Sequence, residues 1–339
     1  MQRLPSNEPQ ASPAQPAAVT DGERAFRAVL ALRTVGAAGF GAEAANGAAA
    51  RAEIGAEAGA AIGVDAAGNV IAVSPDDERG LLVLGADGWR PVAHAAAESR
   101  AVLDLYLPIR CHPGALTVAH LGQSLDGQIA TATGDSYYVT GSANLLHLQR
   151  MRALCGTVVV GAGTIAADDP RLTVRLDAGR QPVRVVLDPN RRLGADKRVF
   201  QDGAAPTLLI ADEARVGRGE RHGQAEVVGI PSRSGRLVLP ALLDELHRRG
   251  LRSIFIEGGG TTVSRFLEAD LLDRLHVAVA PLVIGSGRPG LGLPGRDHIG
   301  DCRRSAHRVF RMGNDVLIDC DLRRPPNGAA AGPELVRVL

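Results

Sequence analysis

Two glycine clusters, each following an apolar run, are the residues best suited to chemistry in this chain. Gly161-Ala162-Gly163-Thr164 follows Thr157 to Val160, and Gly258-Gly259-Gly260 follows Arg252 to Glu257. Glycine lets a backbone approach a ligand closely, and a helix starting there turns free amides and its positive dipole end towards a phosphate. The triple glycine serves equally well as a tight strand–helix packing corner. Glu257 ends a buried strand beside it, where a carboxylate needs a partner, and a polar ligand group is one. Arg152 and Arg175 carry the guanidinium fork that bonds two oxygens of a phosphomonoester at once. Of 38 basic residues 37 are arginine, so an ordinary surface arginine is the competing reading for each.

Gly161-x-Gly163-x-x-Ala166 after a strand also fits a dinucleotide fingerprint, with Asp188 at about the expected distance. That fingerprint requires a helix of about three turns after the glycines. Asp168-Asp169-Pro170 stops the helix after one turn, because proline lacks the amide proton and disfavours helix before it. The doubly wound dinucleotide fold is therefore not expected. Asp168 and Asp169 are either a helix stop or carboxylates facing a sugar or nicotinamide.

The elements that must position these residues follow from periodicity. A strand from Leu116 leads to a turn at Asp126-Gly127, and Leu145, Leu148, Met151 and Leu154 predict a helix from Ser142 to Leu154 with Ser142 as its N-cap. Strands are expected at 182–187, 207–211, 226–229, 252–257, 276–284, 309–312 and 316–319. Helices are expected at 240–249, with Pro240 in its first turn and Gly250 past its end, and at 261–267. Alternating β and α units argue for an α/β fold, a mixed sheet with helices on both faces.

Earlier in the chain, residues 1–20 read as a disordered Pro/Ala/Gln/Ser tail, and 21–33 as a helix. The Ala/Gly stretch 36–63 decides nothing. Residues 62–93 read as hairpins, and 98–106 as a short helix ended by Leu107-Pro108. The expected organisation is this tail, a small α+β region over 21–112, a main domain over 113–323 and a frayed tail over 324–339.

Composition removes several classes. Net charge is +1 over 339 residues, which gives no electrostatic ground for a nucleic acid or membrane partner. No apolar run approaches the roughly 18 residues of a spanning helix. The start of the chain lacks a basic segment followed by an apolar run, so a cytoplasmic location is expected. Cys111, Cys155, Cys302 and Cys320 are widely spaced and read as reduced thiols. Lys197 is the single lysine, which nearly excludes Schiff-base and P-loop chemistry and leaves anions to arginine and backbone amides.

Taken together, SLDGQIAT, GDSYYVTG, LQRMRAL, VGAGTIAADDPRLTVR and IEGGGTTVSRFL resemble the reductase domain of the bifunctional riboflavin-biosynthesis deaminase/reductase family, over roughly Gly114 to Leu322. The resemblance implies a dihydrofolate-reductase-like fold, NADPH as cofactor, a small-molecule substrate and a homodimer. The expected reaction reduces the ring-opened ribosyl group of a ribosylaminopyrimidine 5′-phosphate to ribityl. Another pterin- or pyrimidine-like substrate, or a silent ligand-binding protein of the same fold, are the alternatives. It implies cofactor contacts at Gly122, Tyr138, Gly161, Thr164, Asp168, Gly259, Gly260, Thr261, Thr262 and Arg265. Substrate contacts fall at Ser136, Arg152, Leu172, Arg175 and Glu257. Tyr138 stands where tryptophan is common, and an aromatic stacking surface survives. His120 stands where lysine is common; it is either a substrate-facing group of different reach and charge or a half-buried strand histidine. Glu257, Asp168 and His120 are the candidates for proton balance. The deaminase half requires His-x-Glu and Pro-Cys-x-x-Cys to hold zinc; neither occurs, so no deamination and no metal site are expected.

Overall fold

A computed structural model of the chain describes residues 19–32, 61–85, 88–137, 139–177 and 179–324. Nearly all of the N-terminal tail, most of the Ala/Gly stretch, Tyr138 and most of the C-terminal tail thus fall outside the described residues. The chain forms two compact units that part after Leu103.

The first unit begins with α1 (Asp21–Ala31), which buries Ala25, Phe26, Ala28 and Val29 along one stripe. Four short strands follow: β1 (Ala61–Val64), β2 (Val70–Val73), β3 (Gly80–Gly85) and β4 (Gly88–Pro91). They pair antiparallel in the order β2-β1-β3-β4, the hairpins expected from the turn residues. Then comes α2 (Ala97–Arg110), which corrects the expected stop at Leu107-Pro108: Pro108 lies inside the helix. Proline forfeits one backbone bond there, and burial of Leu103, Tyr106, Leu107 and Ile109 on either side outweighs it.

The second unit takes in α2 from Asp104 on and continues with β5 (Leu116–Ser124), β6 (Gln128–Thr131), α3 (Ser142–Leu154), β7 (Thr157–Gly161) and α4 (Ala162–Asp168). Next are β8 (Val183–Leu187), α5 (Arg198–Gln201), β9 (Thr207–Asp212), β10 (Arg221–His222) and β11 (Ala225–Ile230). A small hairpin of β12 (Ser232–Arg233) and β13 (Arg236–Leu237) precedes α6 (Leu239–Arg248), β14 (Ser253–Glu257) and α7 (Gly260–Glu268). The unit ends with β15 (Arg274–Ala280), β16 (Gly287–Pro289), β17 (Ala306–Met312) and β18 (Asp315–Asp321). Ten of these strands form one sheet, ordered β10-β11-β9-β8-β7-β14-β5-β15-β18-β17. From β11 to β15 every neighbour is parallel; β10 and β18 run against that direction, and β17, antiparallel to β18, runs with it. The expected mainly parallel mixed sheet is the observed one.

Alternation along the central strands assigns the two faces. Ala119, Leu121, Val159, Ile254 and Ile256 join Leu242, Leu246, Val263 and Phe266 of α6 and α7 in one apolar core. The opposite face carries His120 and Glu257, which meet α3 through Asn144 and Arg152. The right-handed crossover rule sends α4 to the α3 face as well, since β5-α3-β7 and β7-α4-β8 step the same way across the sheet.

Several local expectations change. The N-cap of α3 is Gly141, not Ser142, and the Gly141 amide donates to Asp315 Oδ2 at 2.7 Å. α4 runs two turns rather than one, and Asp169, in the left-handed region at φ 41°, ends it. β6, β10 and the β12–β13 hairpin carry no strong alternation and were not expected.

Candidate active site

The chain leaves β7 through α4 on one face and leaves the neighbouring β14 through α7 on the other. Such a reversal of winding opens a crevice at the carboxyl ends of parallel strands. Both glycine clusters sit there and touch. A Cβ on Gly161 would lie 2.6 Å from Thr262 Oγ1, and one on Gly259 would lie 3.2 Å from Thr164 Oγ1. A Cβ on Gly260 would lie 2.3 Å from the Gly290 carbonyl oxygen, a backbone atom that has little room to give. Gly163 and Gly258 instead face open space, and Gly258 holds φ at +64°. The result is a cradle whose walls exclude side chains and whose mouth is clear. The first amides of α7 have no acceptor within the helix, so the cradle fits an anionic, phosphate-bearing cofactor.

Next to it lies a closed ion pair. Arg152 of α3 donates from Nε to Glu257 Oε2 at 2.6 Å and from Nη2 to Glu257 Oε1, and from Nη1 to the Thr173 carbonyl at 3.0 Å. Burial lowers the Arg152 pKa and the Glu257 charge raises it, with a net rise. The Arg152 fork thus engages Glu257, and Arg152 is a partner for the buried-strand carboxylate.

Arg175 is exposed, and its amide donates to Gln149 Oε1 of α3 at 2.8 Å. Leu172 is buried yet sits at φ +57°. With Asp169 it makes two left-handed non-glycine residues within four positions, strain of the kind held at ligand sites. Asp168 is exposed on the last turn of α4, whereas Asp169 accepts from the Arg198 amide and Nε. Asp188, the acidic residue of the dinucleotide pattern, is fully buried and takes the Leu193 amide at 2.9 Å, as a turn anchor. Ser136 and Thr261 are exposed, and Thr262 is half-buried. Arg265 is half-buried and donates to the Leu237 carbonyl at 3.0 Å. Burial, and secondarily the Arg236 charge, push its pKa down. Gly122 packs against α3, where a Cβ would stand 2.9 Å from Thr140 Cγ2.

His120 is fully buried rather than half-buried, at 4 % exposure. It belongs to a polar row across five strands: Glu257, His120, His276, Asp319 and Arg308 are successive register partners on β14, β5, β15, β18 and β17. α3 covers the row. His120 Nε2 lies 2.8 Å from Asn144 Oδ1, and His147 bridges Tyr106 Oη at 2.8 Å and His276 Nδ1 at 3.1 Å. His276 Nε2 approaches Asp319 Oδ1 at 3.3 Å without full hydrogen-bond geometry. Burial, and then the neighbouring His276, lower the His120 pKa to about 3, with the Asn144 bond opposing. Burial likewise pushes His147 well down. Burial raises the Asp319 carboxyl, but contacts with His276 and Arg274 outweigh it and hold it well below the usual range. His147, His276 and Asp319 were missed, because an apolar strand or helix pattern gives no sign of which polar interruptions meet across a sheet.

Comparison with known proteins bears on this site. Residues 116–318 match the model of the RibD C-terminal domain. The chain belongs to the RibD C-terminal domain family. The match starts at β5 and includes both glycine turns, the Arg152–Glu257 pair, and His120, His147 and His276. Among similar proteins, a 2,5-diamino-6-ribosylamino-4(3H)-pyrimidinone 5′-phosphate reductase of Methanothermobacter thermautotrophicus is 36% identical over 210 residues, covering 60% of this chain and 95% of that protein. The riboflavin biosynthesis protein RibD of Bacillus amyloliquefaciens is 39% identical over 216 residues. That alignment covers 63% of this chain and 58% of the relative, so the chain spans somewhat over half of its length. A solved deaminase/reductase structure from Thermotoga maritima superposes with a TM-score of 0.54 at 25% identity, covering 68% of this chain and 62% of that one.

Proposed function

We propose that the protein is a nicotinamide-dependent reductase of a ribosylaminopyrimidine 5′-phosphate in riboflavin biosynthesis. The observation that carries the reading is family membership across the whole reductase region, with nearly full coverage of a relative named as such a reductase. A reduced nicotinamide held in the crevice would supply a hydride for C1′ of the ring-opened sugar, and the proton that completes the reduction would come from solvent. Gly161, Gly163, Thr164 and residues 259–262 form its cradle, with Gly122, Tyr138, Asp168 and Arg265 as further contacts. Ser136, Leu172 and Arg175 hold the substrate. Arg175, exposed and beside the strained 169–172 segment, takes the phosphate. Arg152 holds Glu257 at the crevice edge as a fixed carboxylate that accepts a substrate N–H or O–H, orienting the carbon that is reduced.

NADPH is the proposed cofactor in preference to NADH, a preference the family resemblance supports. Cytoplasmic residence is supported by the free state of all four cysteines. A homodimer is supported by exposed Leu282, Val283 and Ile299, apolar side chains of the kind a second copy covers.

Following NADPH oxidation by the purified chain with each of two substrates tests the function. One is 5-amino-6-(5-phosphoribosylamino)uracil, the substrate the motif resemblance points to. The other is 2,5-diamino-6-ribosylamino-4(3H)-pyrimidinone 5′-phosphate, the compound in the name of the M. thermautotrophicus relative. Turnover of either supports the reductase; oxidation with neither removes it. Binding titrations with NADPH and NADH decide the cofactor.

A further inference from the structure

His120 has two ring nitrogens and, among the described residues, one side-chain hydrogen-bond partner, Asn144. Asn144, 2 % exposed in the first turn of α3, donates from Nδ2 to Thr140 Oγ1 at 2.8 Å, which turns its Oδ1 towards His120 Nε2. A carbonyl oxygen only accepts, so the proton of the neutral ring lies on Nε2. Nδ1 then carries a lone pair, and it has no hydrogen-bond partner among the described residues. Gly122, two residues along the same face of β5, leaves no room for a side chain against Thr140 and Asn144, so this packing is built tightly. His120 is also the register partner of Glu257, at the end of β14 where the crevice opens.

We infer that Asn144 is a positioning residue that locks His120 in the Nε2–H form, so that His120 meets the substrate through Nδ1 as a hydrogen-bond acceptor. The group it recognises is a donor, a hydroxyl or amino hydrogen of the substrate, and not a phosphate or carbonyl oxygen. The inference rests on the reductase reading for the identity of that substrate. A cationic side chain at this position donates and selects oxygen acceptors; a locked neutral histidine selects the opposite partner. The charged and titratable groups around the ring are Glu257 on β14, His276 on β15 with Asp319 behind it on β18, and His147 and Arg152 on α3. Against that surround, the side chain at 144 is the one that touches His120 Nε2.

Nitrogen-15 NMR of the histidine-labelled full chain, with His120 assigned by His120→Gln, reads the tautomer directly. The Nε2–H form at neutral pH is expected, and its Nδ1 resonance should move when the ribosylaminopyrimidine 5′-phosphate is added without cofactor. Asn144→Leu should remove the tautomer preference and lower kcat/KM at least tenfold, with NADPH affinity within twofold of wild type. Asn144→Asp should keep the tautomer, raise the His120 pKa and move the acid limb of the pH–rate profile upward. An Nδ1–H ring in wild type overturns the inference, with no need for any variant to fold. So does an unshifted Nδ1 on substrate binding, or an Asn144→Leu protein that keeps both tautomer and turnover. Lack of turnover by wild type on both pyrimidine phosphates removes the reductase reading instead, and leaves the tautomer result standing.

Discussion

Glu257 and Arg152 bond side-on through both carboxylate oxygens, 105 residues apart in sequence, and tie the end of β14 to the last turn of α3. The pair is mostly shielded from water, with side-chain exposures of 8% for Arg152 and 14% for Glu257. Its chief consequence concerns orientation: a carboxylate held at two points cannot swing when a ligand arrives.

Breaking that pair tests whether it serves structure, chemistry or both. Removing one partner of a buried pair costs about 3–5 kcal/mol, whereas replacing both by apolar residues is often neutral. Arg152→Ala should therefore lower urea stability by about 3 kcal/mol. Arg152→Met combined with Glu257→Leu should regain stability but not reduction of the pyrimidine phosphate. Wild-type turnover in the double variant would confine the pair to a structural role.

Arg175 offers a cleaner probe of the substrate phosphate, since it is exposed and its alanine variant leaves no buried charge. A charged hydrogen bond contributes about 1.5–3 kcal/mol, so Arg175→Ala should raise substrate KM by roughly tenfold or more. NADPH affinity should hold. Arg175→Lys should recover part of the loss, because a point charge does not reproduce the fork. An unchanged KM in the alanine variant contradicts phosphate binding here.

Contact between the two glycine turns predicts a rescue. Gly161→Ala puts a methyl against Thr262 Oγ1 and should weaken NADPH binding at least tenfold. Thr262→Ala in the same chain removes the clashing atom and should return part of the affinity. Fluorescence titration of the three proteins checks it, and a double variant no better than Gly161→Ala counts against the cradle.

Acid should loosen the second unit through its histidines. His120 and His147 are held neutral when folded, with pKa values below the ordinary 6.5, so the unfolded chain binds more protons as pH falls. Stability is therefore full above about pH 6.5 and declines as pH drops towards about 3, by up to about 1.4 kcal/mol per pH unit for each histidine. Urea midpoints at about pH 7.5 and about pH 5 should differ accordingly, and a flat profile between them contradicts the buried neutral assignment.

The sheet, its parallel core and both glycine turns were legible because they rest on local signals: apolar runs of strand length, glycines at their ends, and Pro240 and Gly250 bounding α6. Pro108 misled, since propensity cannot weigh one lost backbone bond against the burial around it. The partner of Arg152 was illegible for a different reason. A fork suits carboxylate and phosphate alike, and only the fold reveals that Glu257 reaches it first. The histidine row was invisible, because its register depends on β5, β14, β15 and β18 lying side by side, an order the linear chain does not display.

Asp315 and Asp319 lie on β18, and between them they anchor the Gly141 amide at the start of α3 and carry the polar row on from His276. A growing polypeptide therefore makes the crevice residues of β5, β7 and β14 long before it makes the strand that fixes the helix over them. On a ribosome the site would exist as unassembled parts until β18 emerged and slotted between β15 and β17. Assembly of the site therefore waits on β18, and a chain stopped before residue 315 would carry both glycine turns without the anchors that seat α3.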